Sequence, residues 1–158
     1  MASTSSINAV NVKGFVRTVL DFHHKSGRHT LPWRTTTDAY EILVSEIMLQ
    51  QTQVERVIPY YEKFLKEFPT FFDLEKSDLP KVLRLWSGLG YNRRAKMLRE
   101  CARDVVGKYN GKLPRTRLEL EALPGIGPYT AGAIRAFAFN ERDVFIETNI
   151  RAVLLHHF

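Results

Sequence analysis

Two glutamates in contrasting surroundings carry the strongest chemical signal in this sequence. Glu46 lies in the stretch from Ala39 to Gln51. There Ile42, Leu43, Val44, Ile47, Met48 and Leu49 put apolar side chains on nearly every side of a helical wheel. A carboxyl on a helix buried all round is desolvated, so its pKa rises and it stays protonated near neutrality, the state a general acid needs. A glutamate that reaches solvent or pairs with an arginine is the other reading. Glu147 follows Val144-Phe145-Ile146 and precedes Thr148-Asn149-Ile150-Arg151. Either Glu147 or Thr148 reads as an N-cap of the last helix; equally, Glu147 reads as an ionised carboxylate that stabilises a developing cation. One protonated and one ionised carboxylate are the pair that glycosidic-bond cleavage uses.

A second constellation would grip an anion. In Leu123-Pro124-Gly125-Ile126-Gly127-Pro128-Tyr129-Thr130-Ala131-Gly132-Ala133-Ile134 an acidic, apolar helix end runs into a Pro-Gly-x-Gly turn, and a new helix opens at once. Gly125 and Gly127 supply tight backbone, and Pro128 suits the first turn. The opening N–H groups, including that of Thr130, make a seat for a phosphate. Such a helix–hairpin–helix holds a nucleic-acid backbone without reading its sequence; a plain packing corner is the alternative. Gln50-Gln51-Thr52-Gln53 offers uncharged donors and acceptors suited to base edges, or a polar cap. Trp86-Ser87-Gly88-Leu89-Gly90-Tyr91-Asn92-Arg93-Arg94-Ala95-Lys96 joins an aromatic to three cations and reads as a DNA surface or a solvated basic face.

The elements that must position these residues are helical throughout, with no alternating strand pattern. Phe15, Val16, Val19, Leu20 and Phe22 give a first amphipathic helix that stops near Ser26-Gly27. Helices are expected over about 39–51, 53–67, 78–87, 91–109, 116–123 and 128–139, punctuated by Phe68-Pro69-Thr70, Gly88-Leu89-Gly90, Asn110-Gly111 and Pro124-Gly125. Residues 1–10 read as a flexible start and 11–158 as one helical domain. Ile150 to Phe158 is an apolar helix start without a stop, so the chain reads as a piece of something longer. Among its 158 residues, 23 Lys and Arg against 17 Asp and Glu favour an anionic partner, which suits nucleic acid. Cys101 is the single cysteine, which excludes an internal disulfide and an all-cysteine metal cluster within the chain and fits a reducing compartment. No apolar run is long enough for a membrane span.

Together these segments resemble the helix–hairpin–helix DNA glycosylases that carry a Gly/Pro hairpin, and within them the MutY-type adenine glycosylases. The resemblance rests on Leu31-Pro32-Trp33-Arg34, Ser45 to Val54, Gly88-Leu89-Gly90-Tyr91 and Leu123 to Gly132, and spans Leu31 to about Leu154. It implies an all-α fold, mainly the six-helix barrel part, and a monofunctional base excision repair enzyme that removes adenine opposite 8-oxoguanine or G. Glu46 matches the residue that protonates the departing adenine. Leu31, Trp33, Gln51 and Val54 match the pocket for the flipped base, and Gln50 and Tyr91 match residues that enter the duplex. Tyr129 matches the tyrosine found where lyase-type relatives such as endonuclease III carry a Schiff-base lysine. Asn149 matches an asparagine beside the catalytic acid. The backbone carbonyls of Glu121, Leu123 and Ile126 match a monovalent-cation site for K⁺ or Na⁺.

Two departures accompany the resemblance. The family's acid before x-Asn is an aspartate, and here it is Glu147, one methylene longer. The family's four-cysteine iron–sulfur module and 8-oxoguanine-recognition domain would have to lie beyond Phe158. The implied partner is double-stranded DNA with a mismatch or lesion, engaged by a monomer in the cytoplasm or nucleoid, or in the nucleus of a eukaryote. Competing readings are a glycosylase for another damaged or mismatched base and a non-catalytic DNA-binding module. A metalloenzyme ranks third, because His23, His24, His29, His156 and His157 form no convincing ligand set.

Overall fold

The computed structural model describes residues 12–158, and the expectation for residues 1–10 lies outside that range. All regular structure among the described residues is helical. In chain order the helices are α1 (Val12–Ser26), α2 (Ala39–Leu49), α3 (Val54–Glu67), α4 (Phe71–Lys76), α5 (Leu79–Trp86), α6 (Arg93–Tyr109), α7 (Arg117–Glu121), α8 (Pro128–Phe137) and α9 (Thr148–His157). A single 3-10 turn, Pro32–Arg34, precedes α2.

Short polar side chains start α2, α4, α5 and α7 by taking up first-turn N–H groups that have no carbonyl one turn back. Asp38 accepts from the N–H groups of Tyr40 and Glu41 at 2.8 and 3.1 Å. Asp78 accepts from Lys81 N–H at 2.7 Å, and Thr116 accepts from Glu119 N–H at 3.3 Å. Helix α4 was absent from the expected set, yet it carries a capping box of its own. Thr70 accepts from Asp73 N–H at 3.3 Å, and its hydroxyl donates to the Asp73 carboxylate at 2.5 Å. Six residues are too few to display a helical period, so periodicity alone passed it over. Helix α6 stops where Asn110 enters the left-handed region at φ 51° and Gly111 N–H returns to the Val105 carbonyl at 3.1 Å.

The described residues form two compact units, one of residues 31–146 and one of residues 12–30 with 147–158. In the first, α2 packs against α3, α6, α8 and the 3-10 turn, while α4 and α5 pack on α6. The core gathers Ile42, Leu43, Val44, Ile47 and Met48 of α2 with Val57, Phe64, Leu74, Trp86, Leu98, Val105, Leu120 and Ile134. Burying each such side chain contributes about 1.5–3 kcal/mol. In the second unit, α1 and α9 bury no residue fully. Aromatic rings are among its contacts: the Phe15 ring lies 5.1 Å from both His157 and Phe158.

One polar contact inside the core is positioned to test this packing. The Tyr40 hydroxyl, buried between α2 and the end of α3, donates to the Phe68 carbonyl at 2.7 Å. Tyr40→Phe keeps the ring against Phe71 but leaves that carbonyl without its donor. A loss of about 1–3 kcal/mol is expected, seen as a Tm several degrees below the parent in thermal unfolding.

Candidate functional site

Glu46 occupies the helix with the least access to solvent. The residues beside it, Ser45 and Ile47, are buried, and Glu46 itself is half-buried. No hydrogen bond or ion pair to its carboxyl is present among the described residues. Desolvation therefore acts without opposition and pushes its pKa up to about 7. Near neutrality a large share of this carboxyl carries a proton, so it can act as a general acid. The reading in which Glu46 pairs with an arginine finds no such partner.

Helix α2 ends at an unusual turn. Gln50 caps it, and Gln51, exposed, sits in the left-handed region at φ 55°. Facing this turn is a second one, Gly88–Tyr91, in which Tyr91 also takes a positive φ of 49° and is 64% exposed. A cleft of about 360 Å³ runs beside both turns, and its walls include Gln50, Gln51, Tyr91, Arg93, Arg94 and Gly125. Residues from three separated motifs thus meet at one concavity. Leu31, Trp33 and Val54 are not part of its wall. Trp33 instead lies half-buried, edge-on to the Tyr61 ring at 5.4 Å, and Leu31 and Val54 are half-buried on either side in sequence.

Two of the residues assigned to a DNA surface face inward. The Arg94 guanidinium donates to the carbonyls of Ile47, Met48, Gln50, Leu89 and Gly90 and to the Thr52 hydroxyl. Its two terminal nitrogens are therefore occupied inside the protein, whereas Arg93 is exposed. Thr130 is only 3% exposed, because it sits on the face of α8 that packs on α2. Only its backbone N–H, in the first turn of α8, can serve an anion.

The hairpin itself has the geometry that its sequence suggested. Gly125 takes φ 80°, and a Cβ there would lie 2.9 Å from Met97 Cβ, so glycine is required on both counts. The turn closes through Ile126 N–H to the Leu123 carbonyl at 3.2 Å, with Ile126 buried as its anchor. Gly127 caps α8 with no side chain over the helix end, and no atom lies within 4 Å of where its Cβ would be. The start of α8 is thus open to an approaching phosphate. Tyr129 is 38% exposed, with its ring edge-on to Phe145 at 5.5 Å. Glu121, Leu123 and Ile126 all lie on this hairpin, and their carbonyls are neutral oxygens of the kind that a monovalent cation takes.

Glu147 belongs to the unit of residues 12–30 and 147–158. It is the N-cap of α9: its carboxylate accepts from Ile150 N–H at 3.0 Å and from Asn149 Nδ2 at 3.3 Å. Of the two capping candidates, the structure selects Glu147 over Thr148. The motif reading did not include the ion network that fixes the segment just before it. Asp143, its side chain 5% exposed, is held by Arg117 at 2.6 Å and by Arg135 at 2.8 Å. Glu141 bridges Arg135 and Arg115 at 2.9 and 3.0 Å. The alternation Glu141-Arg142-Asp143 was the only local trace of this network; its arginine partners come from α7, α8 and the loop before α7.

Comparison with known proteins converges on one family. The model of the HhH-GPD superfamily of base excision DNA repair proteins matches residues 44–158. Adenine DNA glycosylase of Buchnera aphidicola subsp. Baizongia pistaciae is 46% identical over 144 residues, covering 91% of this chain and 41% of that protein. Adenine DNA glycosylase of Rattus norvegicus is 44% identical over 153 residues, covering 91% of this chain and 30% of that protein. The chain therefore spans 41% and 30% of the length of these two curated relatives. Among solved structures, a thermostable thymine-DNA glycosylase superposes with a TM-score of 0.85 at 36% identity, over 90% of this chain and 65% of that one.

The raised pKa of Glu46 has a measurable sign. Its folded value, about 7, lies above the ordinary 4.5 of a free glutamate. The neutral acid is thus the form that suits the fold, and stability linked to it is intact below pH 4.5 and lost as pH rises through 7. Glu46→Gln supplies a permanently neutral isostere. It should match the parent in urea unfolding near pH 4.5 and exceed it by about 1–3 kcal/mol near pH 8. A difference that does not change with pH would mean that the carboxyl titrates normally.

Proposed function

We propose that this chain, which belongs to the HhH-GPD superfamily of base excision DNA repair proteins, carries the helical catalytic core of a DNA glycosylase that removes adenine mispaired with 8-oxoguanine or guanine. The observation that carries the reading is Glu46: an unpaired carboxyl, poised near neutrality, on a buried helix beside the cleft. The relatives named adenine DNA glycosylase supply the choice of base.

In this reading the adenine leaves the duplex stack and enters the protein, since its glycosidic bond is out of reach inside the helix. Glu46 transfers its proton to a ring nitrogen of the base as the C1′–N bond lengthens. The bonding electrons leave with the base, and the sugar becomes oxocarbenium-like. Glu147, whose carboxylate accepts from Asn149, is the residue we assign to stabilising that cation. Water adds at C1′ and loses a proton, which leaves free adenine and an abasic site. Tyr129 stands where a lyase would carry an amine, so no Schiff base forms and the strand is not cut by that route. The open start of α8, with Gly125 and Gly127, takes a backbone phosphate. Arg93 and the exposed turns bearing Gln51 and Tyr91 face the duplex. The hairpin carbonyls of Glu121, Leu123 and Ile126 are the donor set for a K⁺ or Na⁺ ion that would steady this turn. The partner is lesion-bearing duplex DNA, bound by a monomer in the compartment that holds the genome.

A second base class has one observation in its favour, the close superposition on a protein named thymine-DNA glycosylase. A single assay separates the two. Duplexes with A opposite 8-oxoguanine, T opposite G, and uracil are offered to the parent; adenine release supports the reading, and release of only thymine or uracil overturns it.

Two sets of variants test the roles. Glu46→Gln should abolish excision while duplex affinity stays within a few-fold, and Glu147→Ala should remove activity whereas Glu147→Asp retains or raises it. Excision by Glu147→Ala at the parent rate would reduce Glu147 to a cap. Borohydride should trap little of the parent on DNA, and Tyr129→Lys should gain trapping. Strong trapping of the parent would show that another amine attacks the sugar.

A further inference from the structure

We infer that Arg94 is a positioning residue, one that locks the Gln50–Gln51 turn and the Gly88–Tyr91 turn into a single rigid wedge for the duplex, and not a contact to phosphate. The inference rests on the DNA glycosylase reading above. It assigns Arg94 a role different from that of its neighbour Arg93.

The geometry is that of a clamp. Nη1 of Arg94 lies 2.9 Å from the Ile47 carbonyl, 2.9 Å from Met48 and 2.5 Å from Gln50. Nη2 lies 3.2 Å from each of the Thr52 hydroxyl and the Leu89 and Gly90 carbonyls. One nitrogen thus serves the end of α2, and the other ties the polar turn after it to the glycine turn. The first group includes last-turn carbonyls of a helix that have no partner further along the chain. Helix α2 carries no basic residue in its own last turn, so a cation from α6 sits at the negative end of its dipole. The guanidinium also lies 5.5 Å from the ring centres of Trp86 and Tyr91. Neighbouring groups complete the frame: Trp86 Nε1 donates to the Gly90 carbonyl at 3.1 Å, and Arg56 donates to the Gly88 carbonyl.

What this clamp holds is strained. Gln51 and Tyr91 are both non-glycine residues in the left-handed region, at φ 55° and 49°. Such conformations cost of order 1–3 kcal/mol each and persist only where the surroundings over-determine them. Arg94 binds the residue before Gln51, the residue after it, and the two residues before Tyr91. The two exposed side chains that the cleft presents are thus fixed in direction by one planar cation. Lysine cannot substitute: a single ammonium offers three donors from one point and cannot span two sets of acceptors.

The test compares the parent with Arg93→Gln, Arg94→Lys and Arg94→Gln, in the full chain. Three quantities are measured: the salt slope of duplex binding, the rise in 2-aminopurine fluorescence when saturating protein unstacks a duplex, and the single-turnover excision rate per titrated active site. A phosphate contact gives the signature expected of Arg93→Gln, a uniform loss of affinity and a slope smaller by about one. Arg94→Lys should keep the parent slope, lose most of the fluorescence rise, and lower the rate per active site roughly 10- to 100-fold. Arg94→Gln should do the same; if it fails to fold, Arg94→Lys decides. The inference is overturned if Arg94→Lys lowers the slope as Arg93→Gln does while unstacking persists. It is also overturned if only the active fraction falls and the rate per active site is unchanged. A parent that unstacks the duplex but excises no adenine defeats the adenine reading alone, and the fluorescence comparison still decides the role of Arg94.

Discussion

Helix α2 is buried over most of its surface, and that single constraint organises the unit of residues 31–146. A helix walled by α3, α6 and α8 gains apolar burial on most of its faces but gives up much of its access to water as a partner for its polar groups. Two obligations follow. Any carboxyl on it must tolerate desolvation, and its C-terminal carbonyls must find donors from within the protein. Glu46 meets the first by holding its proton to about pH 7. Arg94 meets the second by reaching across from α6 to the carbonyls of Ile47, Met48 and Gln50. The acid and the frame around the cleft therefore share one cause. Opening α2 to water would lower the pKa of Glu46 and make the clamp at its end dispensable.

The hairpin and the strap after it show a different balance, in which charge does the work of apolar contact. Residues 138–146 form no helix, so their backbone gains no ladder of internal hydrogen bonds. Arg117 and Arg135 converge on Asp143 from α7 and α8, and Asp143 also accepts from Val144 N–H at 2.7 Å. A nearly buried carboxylate with two guanidinium partners is costly to unpair, since loss of one arginine leaves charge without compensation. Phe145 then lies against α8 where Gly132 leaves room: a Cβ at Gly132 would come within 2.8 Å of the Phe145 Cβ. The ring of Phe145 is flanked by Tyr129 and Phe137. The segment that leads to Glu147 is registered on the hairpin helices by an ion network and a steric contact.

What could be read from the sequence was what depends on local pattern. The apolar wheel around Glu46 is local, so both the burial of α2 and the raised pKa were legible before any coordinates. The Pro-Gly-x-Gly turn is local too, and Gly125 and the open end of α8 lie where the turn chemistry places them. What depends on distant partners was not legible. Arg94 looked like one of three cations on a basic face because its acceptors at Ile47, Met48 and Gln50 are more than forty residues away in sequence. Thr130 looked available because the phosphate seat is a property of backbone, while the direction of its side chain is set by the packing of α8 on α2. The Asp143 network failed to register for the same reason, its arginines being scattered over three elements.

Glu147 shows how a capping side chain one methylene longer than aspartate is accommodated. Glutamate is a poorer N-cap than aspartate, because its carboxyl must fold back to reach the third N–H of the helix. Here it does so: one oxygen takes the Ile150 N–H at 3.0 Å, which fixes the chain of the side chain in a bent form. The added length is thus absorbed in the cap instead of being projected outward. The second oxygen is left to Asn149, whose amide holds it at 3.3 Å. An asparagine two residues after the acid therefore has a clear physical role. It orients the oxygen that the cap does not use, and with a longer acid that orientation matters more, because the extra torsion would otherwise let the carboxylate turn.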